Sequence, residues 1–592
     1  MNSGAEAAMD TMVSGGDEIV VDKDVEMVTR DGVVLRADIY RPGAAGKYPV
    51  LLCRTPYGKG ATFSLEPGRT ISALLPPADA VANGYVYVVQ DCRGSGASNG
   101  RYQRMYAEEK LDGADAVKWA SELDCSNGKV AILGTSYLGA AAYQAATQAP
   151  AGLRAFGTNG SPNDFFDDHL HYGGALKLFL TLYWSLARVA EIAGREGVDP
   201  DERTRLASAL TRMEEIVRQV PLSKIPELRP EDPDFAPFYF DILKHTERDD
   251  WTRAAMNKDD HRNIQVPALV VSGWYYAVTR AAIEHFVNLR RSGATEEVRE
   301  KTRLIVGPWT VRQALGGPTG SLDYSQTVAA SSLFGPEGMS AVHLRFFDQL
   351  LKDKPIEEEP RVQLFVMGRN QWRSEDDFPL SRARDVAWHL GAGGSLAQSA
   401  AGAGERPDAF VYDPNDPFPS HGGAWVGPAT AEVGPVDQGP VLSRRDLLVY
   451  SSEPLDQDLE VIGSPRMVLH ASTSGLDTDW VVKLCDVHPD GTTFNVTDGI
   501  LRARYRKSLD KPELLEPGEI ARYEIELYPT AMAFLAGHRL RIMITSSDFP
   551  RYDRNPNTGV NPADAASFEV ARQQVFHDQA HPSHIILPVI DD

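Results

Sequence analysis

Residues 128 to 146 read GKVAILGTSYLGAAAYQAA, and this stretch constrains the fold more than any other. A short apolar run, Val130 to Leu133, leads into Gly134-Thr135-Ser136-Tyr137-Leu138-Gly139, after which an alanine-rich segment has a helical composition. Glycines on either side of a serine, where a strand turns sharply into a helix, expose that hydroxyl at the end of a sheet. A turn of this kind needs a buried strand before it and a packed helix after it, which commits the surrounding chain to an α/β arrangement. The serine is then a candidate nucleophile, although a serine that merely caps a helix is written with the same letters. A serine hydroxyl also needs a base to take its proton. The rest of the chain must therefore be read for that base and for the acid that orients it.

The segments before and after this turn agree with it. DVEMVTRDGVVLRADIYRP reads as a hairpin with a tight Asp31-Gly32 turn, YPVLLCRTPYG and YVYVVQDCRG as buried strands running into loops, and KLDGADAVKWASEL as an amphipathic helix. Such β/α alternation implies a mostly parallel sheet covered on both faces. From about 161 to 261 the strand signals stop, and GALKLFLTLYWSLARVAEIA and DERTRLASALTRMEEIVRQV carry helical period and length. A helical insertion at this point is expected to cap the site. Strand signals return with VPALVVSGWYY and TRLIVGPWT. Beyond about 355 the chain becomes short strands separated by turn residues, beginning with RVQLFVMG, which reads as a β-sandwich of jelly-roll type. The expected parts are a disordered leader over 1–17, a β/α domain over 18–160 and 262–355, a helical cap over 161–261 and a jelly roll over 356–592.

Bulk properties narrow the function. A net charge of −22 argues against nucleic acid or an anionic membrane as the main partner. The four cysteines, Cys53, Cys92, Cys125 and Cys485, form no CxxC pair, so neither a disulfide framework nor a zinc site is expected. A reducing, cytoplasmic setting fits that usage. No cofactor and no metal are expected; the partner is a small-molecule substrate, with a homodimer as a further possibility. No apolar stretch reaches the ~18 residues that span a bilayer.

The motifs together resemble the CocE/NonD hydrolases, the family of cocaine esterase, X-Pro dipeptidyl-peptidases and α-amino-acid ester hydrolases. The resemblance runs from about residue 20 to 590 through RTPYGKG (54–60), QDCRGSGASNG (90–100), GTSYLG (134–139), DDW (249–251), GWY (273–275), GPW (307–309), MGRNQWR (367–373), YDPNDPFPSHGG (412–423), DVHPDG (486–491) and GHRLRIMITSSDFPRYDRNPNTG (537–559). It implies an α/β-hydrolase domain, a helical cap and a C-terminal β-sandwich of jelly-roll form, with the active site where the three meet. Ser136 matches the family's nucleophile. The Tyr137 backbone N–H and the Tyr57 hydroxyl match its oxyanion donors, two hydrogen-bond donors aimed at the charge that develops on a tetrahedral oxygen.

At two positions the chain departs from the family. The acid that follows Gly-Trp-Tyr is replaced by Tyr276, and the histidine two residues after Gly-Pro-Trp is replaced by Val311. Valine takes no proton, and a tyrosine with an ordinary pKa of about 10 is a poor base at neutral pH. The Tyr276 ring is expected to take up space left by the missing histidine, with its hydroxyl on a polar partner. His169 and His171, with Asp167 and Asp168 to orient them, form the best substitute base, against the alternative that they pack structurally. His-x-His is also a weak metal signal, since no third ligand has diagnostic spacing. Arg312 could bind a carboxylate or be a surface charge. Trp251, Trp274 and Trp309 count as candidate substrate-binding positions, Trp251 with Asp249 and Asp250 on the cap side. Asp91, Arg93 and His538 read as structural. Three functions stay open: an enzyme with a degenerate triad that carries out non-hydrolytic acyl chemistry such as acyl transfer, cyclisation or a lyase reaction; a weak serine esterase or peptidase with a substitute base; and a non-catalytic binding protein.

Overall fold

A computed structural model describes residues 9–14, 17–62, 75–195, 199–311, 318–329, 334, 338–354, 359–400, 402, 404–428 and 430–591. Its centre is an eleven-stranded mixed sheet. The strands are β1 Met9–Ser14, β2 Asp17–Val28, β3 Val34–Pro42, β4 Tyr48–Thr55, β5 Val86–Asp91, β6 Ser126–Thr135, β7 Leu153–Asn159, β8 Ala268–Tyr275, β9 Arg303–Thr310, β10 Val362–Val366 and β11 Gln371–Glu375. They lie side by side in the order β1-β2-β3-β5-β4-β6-β7-β8-β9-β10-β11, parallel from β5 through β10 and antiparallel at both edges. β5 and β8 are buried at every residue, as strands covered on both faces must be. The expected hairpin turn is present, with Gly32 at φ 86° and its N–H donating to Thr29 O at 2.9 Å.

Two boundaries differ from the sequence reading. Residues Met9–Ser14, assigned to a disordered leader, form an edge strand paired with Asp17–Asp22; residues 1–8, 15 and 16 of that leader lie outside the described residues. Val362–Val366, read as the first sandwich strand, instead pairs in parallel with β9 and carries β11 with it. A short apolar run has no mark saying which of two sheets it joins; the neighbour with a free edge decides.

Helices α1 Glu109–Ser121 and α2 Tyr137–Ala146 pack closely on the sheet. A Cβ on Gly113 of α1 would come within 2.7 Å of Ala145 Cβ, so the close approach depends on glycine there. The cap holds α3 Leu178–Arg195, α4 Pro200–Thr211 and α5 Pro237–Lys244. The chain enters it through a segment of bends and turns that ends in a short hairpin, His171–Tyr172 against Ala175–Leu176. Helices α6 Thr279–Ser292 and α7 Met339–Leu351 follow β8 and β9. From Arg384 onward the chain forms a thirteen-stranded network in which β12 Asp479–Val487 lies between Thr493–Arg502 and β13 Arg539–Thr545. This β domain docks on the central sheet where the N–H of Met367, just past β10, donates to Ala531 O at 2.9 Å.

Candidate active site

Ser136 ends β6 and begins α2 in a strained backbone conformation, φ 54° and ψ −118°. A non-glycine residue takes a positive φ of this kind only where its surroundings over-determine it. Here the Ser136 N–H is tied to Asn159 O at 2.9 Å and its carbonyl accepts from Ala140 N at 3.0 Å. Glycine is needed on both sides of the turn: a Cβ on Gly134 would stand 2.4 Å from Leu138 Cβ, and one on Gly139 would stand 2.7 Å from Gly134 O. The consequence is an exposed serine side chain on an otherwise buried helix start.

Ser136 opens into a small cavity of about 60 Å³ shared by all three parts of the fold. The sheet domain contributes Tyr57, Val278 and Val311, the cap contributes His169, Trp184 and Ile242, and the β domain contributes Val426. Trp184 Nε1 donates to the Tyr57 hydroxyl at 3.3 Å. That contact uses a Tyr57 lone pair and leaves its proton to point at a ligand. The Tyr137 N–H lies in the first turn of α2, where backbone donors have no partner within the helix. The Tyr137 ring is held by its hydroxyl donating to Glu109 Oε1 at 3.1 Å and by stacking on Tyr106 at 4.4 Å. One backbone N–H and one phenol therefore border the same cavity as the exposed serine.

At the two departing positions there is no proton-transfer apparatus. Val311 lines the cavity and is 40 % exposed. The Tyr276 ring is wedged between Gly160 and Gly273, where added Cβ atoms would stand 2.0 and 2.6 Å from it. Its hydroxyl accepts from Asn159 Nδ2 at 3.3 Å, and burial pushes its pKa up to about 12 despite that bond. The hydroxyl has the polar partner expected of it. The ring, however, sits behind the cavity wall, which is formed here by Ala277 and Val278. Two glycines make room for it there, and neither is adjacent to it in sequence. Among the described residues, no imidazole or carboxylate is hydrogen-bonded to Ser136.

The two candidate substitute bases separate. His169 faces the cavity, with Nε2 3.2 Å from the Tyr106 hydroxyl and Nδ1 buried without a partner. His171 points elsewhere, stacked on Phe166 at 4.2 Å. Burial, aided by Lys177, pushes the His169 pKa down to about 3, and burial with Arg502 and Lys177 does the same for His171. A group this reluctant to hold a proton is a weak base. Asp167 and Asp168 do not orient either ring: Asp167 pairs with Arg280 and Lys258, and Asp168 with Lys177 and the Tyr528 hydroxyl.

These two imidazoles imply acid sensitivity. The unfolded chain protonates them near 6.5, and the folded chain holds them neutral down to about 3. The unfolded state binds more protons across that window, so stability falls as pH falls, by about 1.4 kcal/mol per pH unit for each histidine. The His171→Phe variant is expected to show a shallower loss of urea midpoint between pH 6.5 and 4 than the parent. Identical slopes would contradict the neutral-histidine assignment.

Other sequence candidates lie outside the cavity. Trp274 donates its indole N–H to Phe365 O at 2.7 Å inside the sheet domain, and Trp309 packs on Phe334 and Trp372 at 6.0 and 5.8 Å. Both rings turn inward because their strands are covered on both faces. Trp251 is stacked on His245 at 4.1 Å and borders a separate groove of about 680 Å³. Asp249 caps its helix, accepting from Thr252 N at 2.8 Å, and Asp250 opens that same helix. Arg312 lies outside the described residues. Asp91 accepts from Lys59 N and Ala97 N at 2.5 and 2.8 Å, and Arg93 bridges Asp31 and Asp112, which fits the structural reading of both. Sequence reasoning missed Trp184, Tyr106, Ile242 and Val426. Leu180, Thr181 and Trp184 share one face of α3, so helical periodicity held part of that signal; nothing local marks Val426.

Comparison with known proteins agrees with this fold. The sequence model of the X-Pro dipeptidyl-peptidase (S15 family) matches residues 31–310, and that of the X-Pro dipeptidyl-peptidase C-terminal non-catalytic domain matches residues 355–586. A cocaine esterase of Rhodococcus sp. (strain MB1 Bresler) is 34% identical, over 98% of this chain and 100% of its own. Among solved structures, an aminopeptidase from a marine sediment archaeon, Thaumarchaeota archaeon, superposes with a TM-score of 0.81 at 26% identity, covering 99% of this chain and 97% of that one. An α-amino acid ester hydrolase superposes with a TM-score of 0.78 at 25% identity, covering 98% of each chain.

Proposed function

Because the chain belongs to the CocE/NonD family of X-Pro-peptidase-like serine hydrolases, we propose that it binds a small acyl compound at Ser136 and carries out acyl chemistry other than triad hydrolysis. Transfer of an acyl group to an amine, within one substrate or between two, fits the groups present. The observation that carries the reading is the pairing of a strained, exposed Ser136 and two oxyanion donors with valine and a buried tyrosine at the triad positions.

Water and serine hydroxyls need a base before they attack; an unprotonated amine does not. In this reading the substrate carbonyl oxygen lies between Tyr57 Oη and Tyr137 N. An amine nitrogen attacks the carbonyl carbon, the carbon–oxygen bond to the leaving alkoxide breaks, and the proton on nitrogen passes to that alkoxide. Amide and alcohol result, so neither a base nor an acid from the protein is consumed. The small, largely apolar cavity favours a compact acyl group.

A fluorophosphonate probe together with substrate screening tests the reading. Ser136 is expected to label at least about a thousandfold more slowly than a complete triad, since losing the histidine alone costs on the order of 10⁶ in a comparable triad. Ester aminolysis is expected to fall about 10²-fold in the Tyr57→Phe variant, the cost of one oxyanion donor. Rapid labelling at neutral pH would instead favour the weak-esterase reading with His169 as base. If Ser136→Ala and Tyr57→Phe both leave turnover unchanged, the site assignment fails.

A further inference from the structure

Far from Ser136 in the sequence, three side chains converge at one end of the β domain. Asp486 lies near the end of β12, and His488 follows two residues later on the same face. His538 stands just before β13, whose antiparallel register sets Asp486 opposite Leu540 and Val487 opposite Arg539. Two tight turns fix the ends: Gly491 N donates to His488 O at 2.9 Å, and His538 N to Leu535 O at 3.0 Å. His538 Nδ1 lies 2.9 Å from Asp486 Oδ1, and His488 Nε2 lies 3.3 Å from Asp486 Oδ2.

We infer that Asp486, His488 and His538 form a binding site for a borderline divalent cation of the zinc type. The donor set, one carboxylate oxygen and two imidazole nitrogens, is one such ions accept. The three donor atoms lie within 4.8 Å of one another, and Asp486 Oδ2 lies 3.3 Å from His488 Nε2 and 3.0 Å from His538 Nδ1, separations that suit a shared ion. Ligands about 2.0–2.1 Å from a tetrahedral ion stand roughly 3.3 Å apart, so binding needs a tautomer change and small side-chain movements but no movement of strands. The charge also fits. Asp486 is a buried carboxylate, and among the described residues no lysine or arginine pairs with it; its side-chain partners are the two imidazoles. The His488 side chain is 35% exposed, which gives an ion access and leaves room for water in the remaining position.

The test uses the full-length chain stripped with EDTA and titrated calorimetrically with zinc chloride, with cobalt(II) absorption as a second readout. One equivalent is expected to bind, the visible bands of cobalt(II) are expected to have tetrahedral intensity, and the melting temperature is expected to rise with zinc. His488→Ala, at a part-exposed turn, should fold and bind at least about tenfold more weakly, since even outer-shell partners cost 10- to 100-fold. Asp486→Asn should do the same, and His581→Ala, whose imidazole pairs with Asp578, should bind like the parent. The inference is overturned if the stripped parent takes up no zinc at 100-fold molar excess, which would make the cluster a hydrogen-bonded structural knot. Equal affinity in the parent, His488→Ala and Asp486→Asn would overturn it too.

Discussion

The double variant Tyr276→Asp with Val311→His is expected to hydrolyse p-nitrophenyl acetate at least about a thousandfold faster than the parent, since a comparable triad loses on the order of 10⁶ without its histidine. The parts that such a triad would need are already in place. Ser136 keeps its strained backbone, Tyr57 and Tyr137 keep their donors, and Val311 borders the same cavity as Ser136. A histidine at 311 would therefore enter that cavity. An aspartate at 276 would start from the end of β8, beside Asn159, whose Nδ2 now serves the Tyr276 hydroxyl at 3.3 Å. Neither single change should suffice: a histidine without its acid loses on the order of 10⁴, and an acid without a histidine has nothing to orient. The obstacle is packing. Removing a ring wedged between Gly160 and Gly273 leaves a void that can cost about 3–5 kcal/mol. Thermal melts must therefore accompany the kinetics. A folded double variant without a gain abolished by Ser136→Ala would mean that residues 276 and 311 no longer aim at the serine.

Replacing Glu109 by alanine is expected to destabilise the protein by about 3–5 kcal/mol, the cost of leaving a buried charge without its partner. The Arg54 side chain is 0% exposed and that of Glu109 is 5% exposed, and the two form an ion pair beneath the elbow. Arg54 Nε also donates to Gln90 Oε1 at 2.9 Å, a neutral contact that does not balance its charge. Glu109 has a second role, because its Oε1 accepts from the Tyr137 hydroxyl at 3.1 Å and so fixes the residue whose N–H we propose as an oxyanion donor. Glu109→Gln keeps an acceptor for Tyr137 and should fall between parent and alanine. Arg54→Met with Glu109→Leu removes both charges and should lose less than Glu109→Ala alone. Urea midpoints decide the matter: a loss under about 1 kcal/mol in Glu109→Ala would show that water reaches Arg54.

Much of this was legible before any coordinates. The elbow was readable because its requirements are local: small residues at 134 and 139, an apolar strand before them and an alanine-rich helix after them. The tyrosine and valine at positions 276 and 311 were readable for the same reason, since Gly-Trp-Tyr and Gly-Pro-Trp frame those positions within a few residues. Assignments that depended on a side chain's direction fared differently. Trp274 and Trp309 belong to motifs beside the site, yet their rings turn into the sheet domain. Tyr276 was expected in the cleft and lies behind its wall, because Gly160 and Gly273 open a slot that neither residue announces in sequence.

By itself the sequence determined the order of the three parts, the strand-to-helix turn that exposes Ser136, and the placing of Tyr276 and Val311 at two framed positions. Period, turn residues and glycine spacing act over a few residues, so they can be read along a line. Tertiary structure alone decided which sheet Val362–Val366 joined, that Val426 lines the cavity beside Ser136, and that His169 shares that cavity while His171 does not. It also decided that both imidazoles stay neutral well into the acid range, because burial lowers their pKa to about 3. Burial and electrostatic potential are sums over neighbours drawn from distant segments, and those sums do not exist until the chain has folded.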